Sequence, residues 1–252
     1  MTDSWIVTPQ YFEHAEPGLI GEAPAAAILN GPHPIAGRGA AEMATLHRPI
    51  AEAVAAALKA GERAVNLAGD CCAAVPALAG CQRAGLAPHI VWVDAHGDFN
   101  TPETSPSQFL GGMPLAMMVG RGPQWMMEAV DASPAPEASV TLVDGRDLDP
   151  LEAEAVAGSD LRHIDTDGLA TLRIHGPVLL HIDLDVLDAT AAPAFNYPVP
   201  GGPDAAALAA ALRAFAAAND IRCISLSAWS PSKDGDGQTG AACRQALAPL
   251  FA

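Results

Sequence analysis

The sequence predicts an α/β fold in which a mostly parallel sheet is covered by helices on both faces. Three observations predict it. Short apolar segments of strand character alternate with longer alanine-rich segments of helical character. Polar clusters follow the ends of five predicted strands, which is where sites lie in such sheets. The 252 residues, of which 50% are hydrophobic, are enough to bury one large core, so we expect a single domain over 1–252.

The first half of the chain alternates two predicted strands with three predicted helices. Alanine, the best helix former, is frequent in the helical segments, and Gly61 follows the first of them as a stop. In order, the elements are a helix at 40–59, a strand at 63–68, a helix at 73–84, a strand at 89–94, a loop at 97–112, and a helix at 113–130 broken near 120–123.

The second half continues this alternation. The most apolar strand again ends in acidic side chains, and Asp204 is a suitable N-cap for an alanine-rich helix. The two long loops of the chain, at 97–112 and 189–202, have a length typical of functional loops. In order, the elements are a strand at 139–143, a helix at 150–157, a strand at 161–165, a strand at 177–185, the loop at 189–202, a helix at 204–218, a strand at 221–226, and a helix at 238–251.

Charge and composition exclude several classes of partner and location. Asp and Glu total 29 against 13 Lys and Arg, and a net charge of −16 argues against nucleic acid or anionic membranes as partners. The N-terminus resembles no signal peptide, and no apolar stretch approaches the length of a membrane span. Five cysteines, an odd number, do not indicate a disulfide framework. We therefore expect a cytoplasmic protein.

Two acidic motifs stand where predicted strands end. In Asp94-Ala-His96-Gly-Asp98, three metal-competent side chains lie at i, i+2 and i+4, and an extended chain turns them to one side. Asp183 and Asp185 have the same spacing. Neighbouring strands would bring four carboxylates and one imidazole together, and like charges that close need cations to remain ionised. Carboxylate and imidazole donors suit Mn, Fe or Zn, so the motifs predict a metal site rather than solvated loops.

These motifs resemble those of the arginase/agmatinase (ureohydrolase) family. The Asp94 motif continues into Asn100-Thr-Pro, and the second motif reads Asp183-Leu-Asp185-Val-Leu-Asp. Gly-Asp-Cys71-Cys stands where the family has Gly-Gly-Asp-His-Ser, and all three motifs come in family order. The resemblance implies a three-layer α/β/α, arginase-like fold. It also implies a binuclear manganese site that hydrolyses guanidino compounds to urea and an amine.

The resemblance further implies which residues hold two divalent metal ions, expected to be Mn²⁺. A hydroxide shared by the two metals is the implied nucleophile. No histidine is placed to carry protons, so Asp98 is expected to hydrogen-bond this hydroxide and pass its proton to the leaving amine. One ion would be held by Cys71, Asp94, Asp98 and Asp183, and the other by Asp94, His96, Asp183 and Asp185, with Asp94 and Asp183 bridging.

Three positions depart from the family pattern. Cys71 replaces a histidine ligand; its softer thiolate favours Zn or Fe, and the alternative is a small buried residue beside a weak or absent first metal. Gly111 replaces the proton-shuttling histidine of arginases, either as a mere turn or to leave room for a bulkier substrate group. Ala228 replaces the guanidinium-binding glutamate, so a buried guanidinium loses a charge-assisted pair. Asp234 or Asp236 could substitute for it from the following loop, or, because glycines stand beside them, belong to a flexible solvated turn.

Other positions match residues that bind the amino-acid head group in arginases. Asn100, Ser105 and Ser107 match those that hold the α-carboxylate, and Asp149 matches one near the α-amino group. Each of these side chains alone often caps a turn instead. Together they favour an amino-acid substrate over a decarboxylated one. Tyr197 replaces a small hydroxyl residue of the family, and it narrows the pocket or offers a phenol.

The segment Gly97-Asp-Phe-Asn-Thr-Pro-Glu-Thr, together with the replacements at Cys71 and Gly111, resembles the sequences of Nω-hydroxy-L-arginine amidinohydrolases. This branch of the family releases hydroxyurea. A hydroxyguanidine is less basic than a guanidine, which softens the loss of the glutamate, although Ala228 departs from that branch too. Three functions remain open. They are hydrolysis of a guanidino or N-hydroxyguanidino amino acid, binding of metal or an amino acid without catalysis, and hydrolysis of another amidine or amide. The resemblance also implies a homo-oligomer.

The remaining residues of interest are expected to have structural roles. His181 shares a face with Asp183 but lies one step deeper in the strand, so we expect it behind the ligands or in the core. Trp229 is expected in the pocket wall or the core. The other cysteines are expected to pack in the interior, and these are Cys72, Cys81, Cys223 and Cys243.

Overall fold

The structure is a computed structural model that describes residues 1–251. The strands are β1 (Asp3–Thr8), β2 (Gln10–Tyr11), β3 (His14–Ala15), β4 (Ile28–Leu29), β5 (Arg63–Ala68), β6 (His89–His96), β7 (Val140–Asp147), β8 (Arg162–Ile164), β9 (Pro177–Asp183) and β10 (Asp220–Ser227). The α-helices are α1 (Ala40–Lys59), α2 (Ala74–Arg83), α3 (Pro114–Met118), α4 (Trp125–Ala129), α5 (Pro150–Ala157), α6 (Thr166–Leu169), α7 (Ala205–Ala216) and α8 (Gln238–Leu247).

Eight of the strands form one sheet in the order β4-β1-β5-β10-β9-β6-β7-β8. Every neighbouring pair in this sheet is parallel. The short strands β2 and β3 form a separate antiparallel pair. Parallel neighbours need crossover connections, and these place helices over the faces of the sheet. The predicted parallel sheet is therefore confirmed.

Side chains of each central strand alternate between two apolar cores. On β6, Ile90 and Trp92 pack in the core that includes α1, α2, α3 and α4. Val91 and Val93 pack in the core that includes α7 and α8. Because successive residues of a strand point to opposite faces, a strand buried on both faces is apolar throughout. The result is the three-layer α/β/α arrangement that the sequence predicts.

The observed elements agree with the predicted ones except at their ends, at the N-terminus and at the short helix α6, which the sequence analysis does not predict. Helix α1 has the predicted bounds, whereas the predicted strand at 177–185 ends at Asp183. Strands β1 and β4 are additions that extend one edge of the sheet, and β1 is tied to β5 by Arg63, which donates two hydrogen bonds of 2.7 Å to Asp3. No helix within 1–251 is long and apolar enough to cross a membrane. All five cysteines are buried free thiols.

Candidate metal centre and active site

Five adjacent strands end together and carry the polar clusters to one edge of the sheet. The register places Val93 of β6 opposite Ile182 of β9, and Asp183 of β9 opposite Ser227 of β10. The acids that follow β6 and β9 are therefore neighbours, as the motif spacing predicts. Strands β5 and β7 flank these three and lead into Cys71 and Asp149.

The first motif converges on the site although its chain does not stay extended. Asp94 is buried in β6, where its Oδ2 accepts a hydrogen bond from Trp92 Nε1 (3.0 Å) and its Oδ1 accepts one from the His96 backbone (2.8 Å). Strand β6 ends at His96, and Asp98 has a left-handed φ of 49°. The two-residue alternation of side-chain direction thus holds from Asp94 to His96. Beyond the strand, a turn of the backbone brings the Asp98 carboxylate to the same cluster.

The second motif also departs from the extended form. Asp183 is the last residue of β9, and its Oδ1 accepts the backbone N–H of Asp185 (3.4 Å), which closes a short 3₁₀ turn over Leu184–Val186. Its Oδ2 accepts a hydrogen bond of 3.1 Å from Ser227 of β10. Asp185 Oδ1 lies 3.5 Å from His96 Nδ1. The turn therefore directs Asp185 toward His96 while Asp183 remains beside β10.

Cys71 comes from the segment after β5. Asp70 accepts the backbone N–H of Cys72 at 3.1 Å and so caps the 3₁₀ turn Cys71–Ala73. This turn places the Cys71 thiol against the Gly111 carbonyl, with a sulfur–oxygen distance of 3.0 Å. Cys72 is buried in the apolar core, as the sequence analysis predicts.

The ligand atoms of these residues form overlapping triads, each within 4.8 Å. The triads are Cys71 with Asp98 and Asp183, Asp94 with His181 and Asp183, and Asp94 with His96 and Asp185. Asp98 Oδ2 is buried and has no hydrogen-bond partner within 1–251. Several buried carboxylates with one imidazole and one thiol are a donor set that fits divalent cations.

The cluster is electrostatically unfavourable without cations. Burial, together with the charges of Cys71 and Asp94, raises the pKa of Asp98 well above its ordinary value. Burial and the nearby Asp185 raise the pKa of Asp183 in the same way. Burial lowers the pKa of His96, but hydrogen bonds to Asp185 and Asp94 outweigh it and raise that pKa to about 12. Bound cations would oppose the burial cost of the carboxylate charges.

A cavity of about 310 Å³ opens onto the cluster, and the predicted head-group residues line it. Asn100 Nδ2 donates to Asp149 Oδ2 at 3.1 Å, so the two elements that carry them meet at the cavity. The serines also cap their own loop, because Ser105 accepts the Gln108 backbone N–H (3.0 Å) and Ser107 accepts that of Phe109. The lining includes Asn100, Ser105, Ser107, Gly111, Asp149 and Tyr197.

Comparison with known proteins identifies the family. The arginase family model matches residues 22–251. The chain belongs to the arginase family. It is 31% identical over 176 residues to an arginase of Schizosaccharomyces pombe, covering 62% of this chain and 53% of that protein. It is 35% identical over 151 residues to the arginase of Bacillus subtilis, covering 54% and 51%. The chain spans about half the length of the curated relatives that it matches.

The fold also matches solved structures of the arginase family. The arginase of Bacillus cereus superposes with a TM-score of 0.83 at 24% identity, over 100% of this chain and 98% of that one. At this level of identity the match establishes the fold. The residues of the cavity, including those that depart from the arginase pattern, must therefore indicate the function.

Gly111 does not leave open room beside the cluster. A Cβ on Gly111 would lie 2.4 Å from Phe109 Cε1, so the phenyl ring already fills this space. The expectation of room for a bulkier substrate group at this position is therefore wrong. The sequence analysis missed Phe109 because glycine at 111 gives no sign of which neighbour replaces the absent histidine side chain.

No other carboxylate takes the place of the arginase glutamate at Ala228. Ala228 lines the cavity in a left-handed conformation (φ 58°). Asp234 caps α8, accepting the backbone N–H groups of Thr239 (3.2 Å) and Gly240 (2.6 Å), and Asp236 accepts that of Gln238 (3.1 Å). Neither lines the cavity. Both acids therefore belong to the turn before α8, and neither substitutes for the glutamate in the cavity.

The side chains of His181 and Trp229 lie behind the site. His181 is fully buried, stacks on Trp92 with ring centroids 3.7 Å apart, and lies 3.3 Å from the Ser227 hydroxyl. Burial lowers its pKa to about 3, so it is neutral. Trp229 packs in the core that contains α7 and α8. His181 thus supports Asp94 and Asp183 from the position that the sequence analysis predicts.

The cavity also contains residues that sequence reasoning missed. Glu152 is buried and accepts the backbone N–H groups of Phe99 (2.8 Å) and Asp149 (3.1 Å), which ties the loop after β6 to the start of α5. The capping-box spacing of Asp149 and Glu152 is a signal that could have found it. The other missed lining residues include Tyr11, Phe12, Phe109, Asp147 and Asn196. No motif in the sequence marks these positions.

Proposed function

We propose that this chain is a metal-dependent hydrolase that cleaves a C–N bond in a guanidino or N-hydroxyguanidino amino acid. The observation that carries the proposal is the buried cluster of acids, imidazole and thiol at the floor of a cavity lined by head-group residues. A scaffold without catalytic function has little reason to keep like charges buried together, because their mutual repulsion destabilises the fold. The cluster therefore favours catalysis over mere binding.

The donor set fits two divalent cations, and we propose Mn²⁺ in both positions. Cys71, Asp94, Asp98 and Asp183 would hold one ion, and Asp94, His96, Asp183 and Asp185 the other, with Asp94 and Asp183 shared. Bound metals of this kind supply Lewis-acid polarisation and a nucleophile at neutral pH. His181 and Trp92 lie behind the shared acids and hold the strand ends in place.

Asp98 is the residue that we assign to proton transfer. Its Oδ2 is buried, has no partner within 1–251, and belongs to a residue that lines the cavity. In the proposed reaction, oxygen from water bonds to the guanidino carbon and the C–N bond to the chain nitrogen breaks. Asp98 accepts the proton that the water loses and delivers it to the leaving amine. Residue 111, which corresponds to the proton-carrying histidine of arginases, is glycine here, and Phe109 occupies the space of its absent Cβ.

The head-group residues support an α-amino acid as the substrate. Asp149 offers a carboxylate to an α-amino group, and Asn100 lies within hydrogen-bond distance of it. Ser105 and Ser107 offer hydroxyls, 3.4 Å apart, to an α-carboxylate. We favour the N-hydroxyguanidino form at the other end of the substrate, because Ala228 leaves a full guanidinium without its usual carboxylate. We also expect the chain to form a homo-oligomer.

The test is metal content followed by a substrate panel. The protein is loaded with Mn²⁺ and desalted, and its metal content per chain is measured by elemental analysis. We expect two metals per chain, and release of hydroxyurea or urea from Nω-hydroxy-L-arginine or L-arginine. Two metals without turnover of any guanidino compound would refute the proposal. One metal or none, with ligand-dependent stabilisation but no product, would indicate a binding protein instead.

One observation favours a second candidate, a hydrolase of a neutral amidine or amide. A neutral substrate needs no carboxylate at the position of Ala228, and the cavity near this residue provides none outside the metal cluster. The same panel, extended to a formimidoyl amino acid and linear amides, separates the two candidates. Turnover of these compounds alone would establish the second candidate.

A further inference from the structure

An aromatic wall, consisting of Tyr11, Phe12, Phe109 and Tyr197, lines part of the cavity. Its ring centroids are 5.1 Å apart for Tyr11 and Phe12, 5.8 Å for Phe12 and Phe109, and 5.2 Å for Phe109 and Tyr197. These distances are typical of packed aromatic pairs, so the rings support one another. The wall joins the N-terminal β2 segment to the loop before α7, two parts of the chain far apart in sequence.

Phe109 lies in the middle of the wall and occupies the side-chain space of position 111. A Cβ on Gly111 would lie 2.4 Å from Phe109 Cε1 and 2.7 Å from Cζ. Gly111 is not among the residues with left-handed φ, so its backbone does not itself require glycine. The Phe109 ring therefore accounts for glycine at position 111, because it occupies the space in which any side chain there would begin.

No side chain of the wall carries a carboxylate. Outside the metal cluster, the acids that line the cavity are Asp70, Asp147, Asp149 and Glu152. The carboxylate of Asp70 accepts the backbone N–H groups of Phe12 (3.4 Å) and Cys72 (3.1 Å), and the other three belong to the segment from β7 to α5. Position 228 is alanine. Arg38, bound to Glu13 by two hydrogen bonds of 2.9 Å, already places its guanidinium 4.3 Å from the Phe12 ring and 5.5 Å from the Phe109 ring. Arg38 therefore already makes the cation–π contacts of these rings on that side, and a substrate guanidinium cannot take the same place.

We propose that Phe109 is a specificity-determining residue that makes the site select substrates whose scissile group is uncharged. An N-hydroxyguanidine, which is less basic than a guanidine, then reacts in its neutral form in preference to a guanidinium, while the cationic end of the substrate pairs with Asp149. This inference rests on the proposed function, because it concerns the same reaction. Its physical basis is that a guanidinium loses hydration against the phenyl ring without gaining a carboxylate.

The kinetic test compares kcat/KM for Nω-hydroxy-L-arginine and L-arginine, which share a head group and differ by one oxygen. The proteins are Mn-loaded wild type, Phe109→Ala and the conservative control Phe109→Leu. We expect wild type to prefer the hydroxylated substrate by about tenfold or more, since the guanidinium of arginine is desolvated against the Phe109 ring with no carboxylate to pair with. Phe109→Ala should lose most of this preference, because water then reaches the scissile group. Phe109→Leu should keep it.

A binding measurement separates this inference from the proposed function. Calorimetry compares L-citrulline, a neutral analogue, with L-arginine on the same proteins. Wild type should bind citrulline more tightly than arginine, and the ratio of the two dissociation constants should be smaller in Phe109→Ala. Equal affinities in wild type, or an unchanged ratio in Phe109→Ala, would overturn the role of Phe109. If neither arginine compound is hydrolysed but citrulline is still preferred, the proposed function fails and the selection of a neutral group stands.

The steric part of the inference has its own test. Gly111→His alone forces a side chain into the Phe109 ring, and we expect it to lower the melting temperature by about 5 °C. The double variant Phe109→Ala/Gly111→His opens the space and should recover most of that loss. If Gly111→His is as stable as wild type and its crystal structure shows Phe109 in the same position, the ring does not require glycine at position 111.

Discussion

Asp98 combines two properties that rarely occur together, since its carboxylate is buried and one of its oxygens lacks a hydrogen-bond partner within 1–251. An unsatisfied buried oxygen destabilises the fold unless a ligand or substrate satisfies it. The left-handed backbone at Asp98 is a second local cost, because non-glycine residues seldom adopt it. The unsatisfied oxygen and the left-handed backbone both follow if the Asp98 carboxylate must point at the reacting atoms.

Replacing Asp98 by Asn tests this role. The substitution keeps the shape of the side chain but removes the ability to accept and deliver a proton, so we expect kcat to fall by about 100-fold or more. The measurement is hydroxyurea or urea release, with metal content determined on the same sample. Asp236→Asn, on the loop that caps α8, is the control and should retain activity. Near-normal turnover by Asp98→Asn with two metals bound would remove Asp98 from the mechanism.

Cys71 decides whether the first metal position exists. Its thiol belongs to a triad with Asp98 and Asp183, so removing it should leave that position with too few donors. We expect Cys71→Ala to retain one metal per chain instead of two, and Cys71→His to restore the second. Cys72→Ala, which changes a neighbouring thiol packed in the core, should still bind two. Two tightly held metals in Cys71→Ala, measured by elemental analysis, would exclude Cys71 as a ligand.

At the scale of elements, the strands and helices of the sheet were largely predictable, whereas the aromatic wall was not. Strands buried on both faces have an uninterrupted apolar pattern, and the acids at their ends mark the edge that holds the site. The wall depends on β2 and on Phe109, whose positions follow from tertiary packing. Two-residue strands such as β2 and β4 have too few residues for a periodic pattern, so sequence alone could not locate them.

Helix α1 contains a buried titratable group that makes stability depend on pH. Burial lowers the pKa of His47 from 6.5 to about 3. Because the native pKa is the lower one, the stabilisation is complete above pH 6.5 and is lost as the pH falls toward 3. The unfolded chain binds a proton there that the native protein does not, which reduces the free energy of unfolding by about 1.4 kcal/mol per pH unit.

Replacing His47 by Leu should remove this dependence. Urea denaturation between pH 4 and 8, the range spanning the ordinary pKa of 6.5, compares the slopes of wild type and variant. We expect a shallower acid-side slope for His47→Leu, and an unchanged slope for the control His175→Leu, since His175 is exposed. Other groups titrate in both proteins, so the difference between the slopes isolates His47. Parallel slopes for wild type and His47→Leu would contradict the prediction.

On the scale of the whole molecule, a net charge of −16 and a buried acidic cluster lead us to expect that metal binding stabilises the fold. The site lies at the meeting point of β5, β10, β9, β6 and β7, so it draws residues from most of the chain length. Cations bound there would tie the central strands together and relieve repulsion among their ends. A ligand that binds only the native state stabilises it by mass action.

Removal and restoration of metal should therefore move the melting temperature strongly. At a Mn²⁺ concentration of about 100 times the dissociation constant, each site contributes about 2.7 kcal/mol, which corresponds to about 5–10 °C for a protein of this size. We expect EDTA-treated protein to gain at least this shift when Mn²⁺ is added. Mg²⁺ should raise the melting temperature less than Mn²⁺ does, because Mg²⁺ is a harder cation and the donor set includes a thiol and an imidazole.

Asp183→Asn provides the matched variant for that measurement. It removes one charge from the two triads that contain Asp183, while the amide oxygen can still accept the hydrogen bond that Ser227 donates at 3.1 Å. Without metal, the variant should melt at a higher temperature than wild type, because Asp183 no longer faces Asp94 and Asp185 as a like charge. With Mn²⁺ it should gain less than wild type, because both ions lose the charge of one of their two shared ligands. A Mn²⁺-induced shift as large as that of wild type would place the metals elsewhere in the molecule.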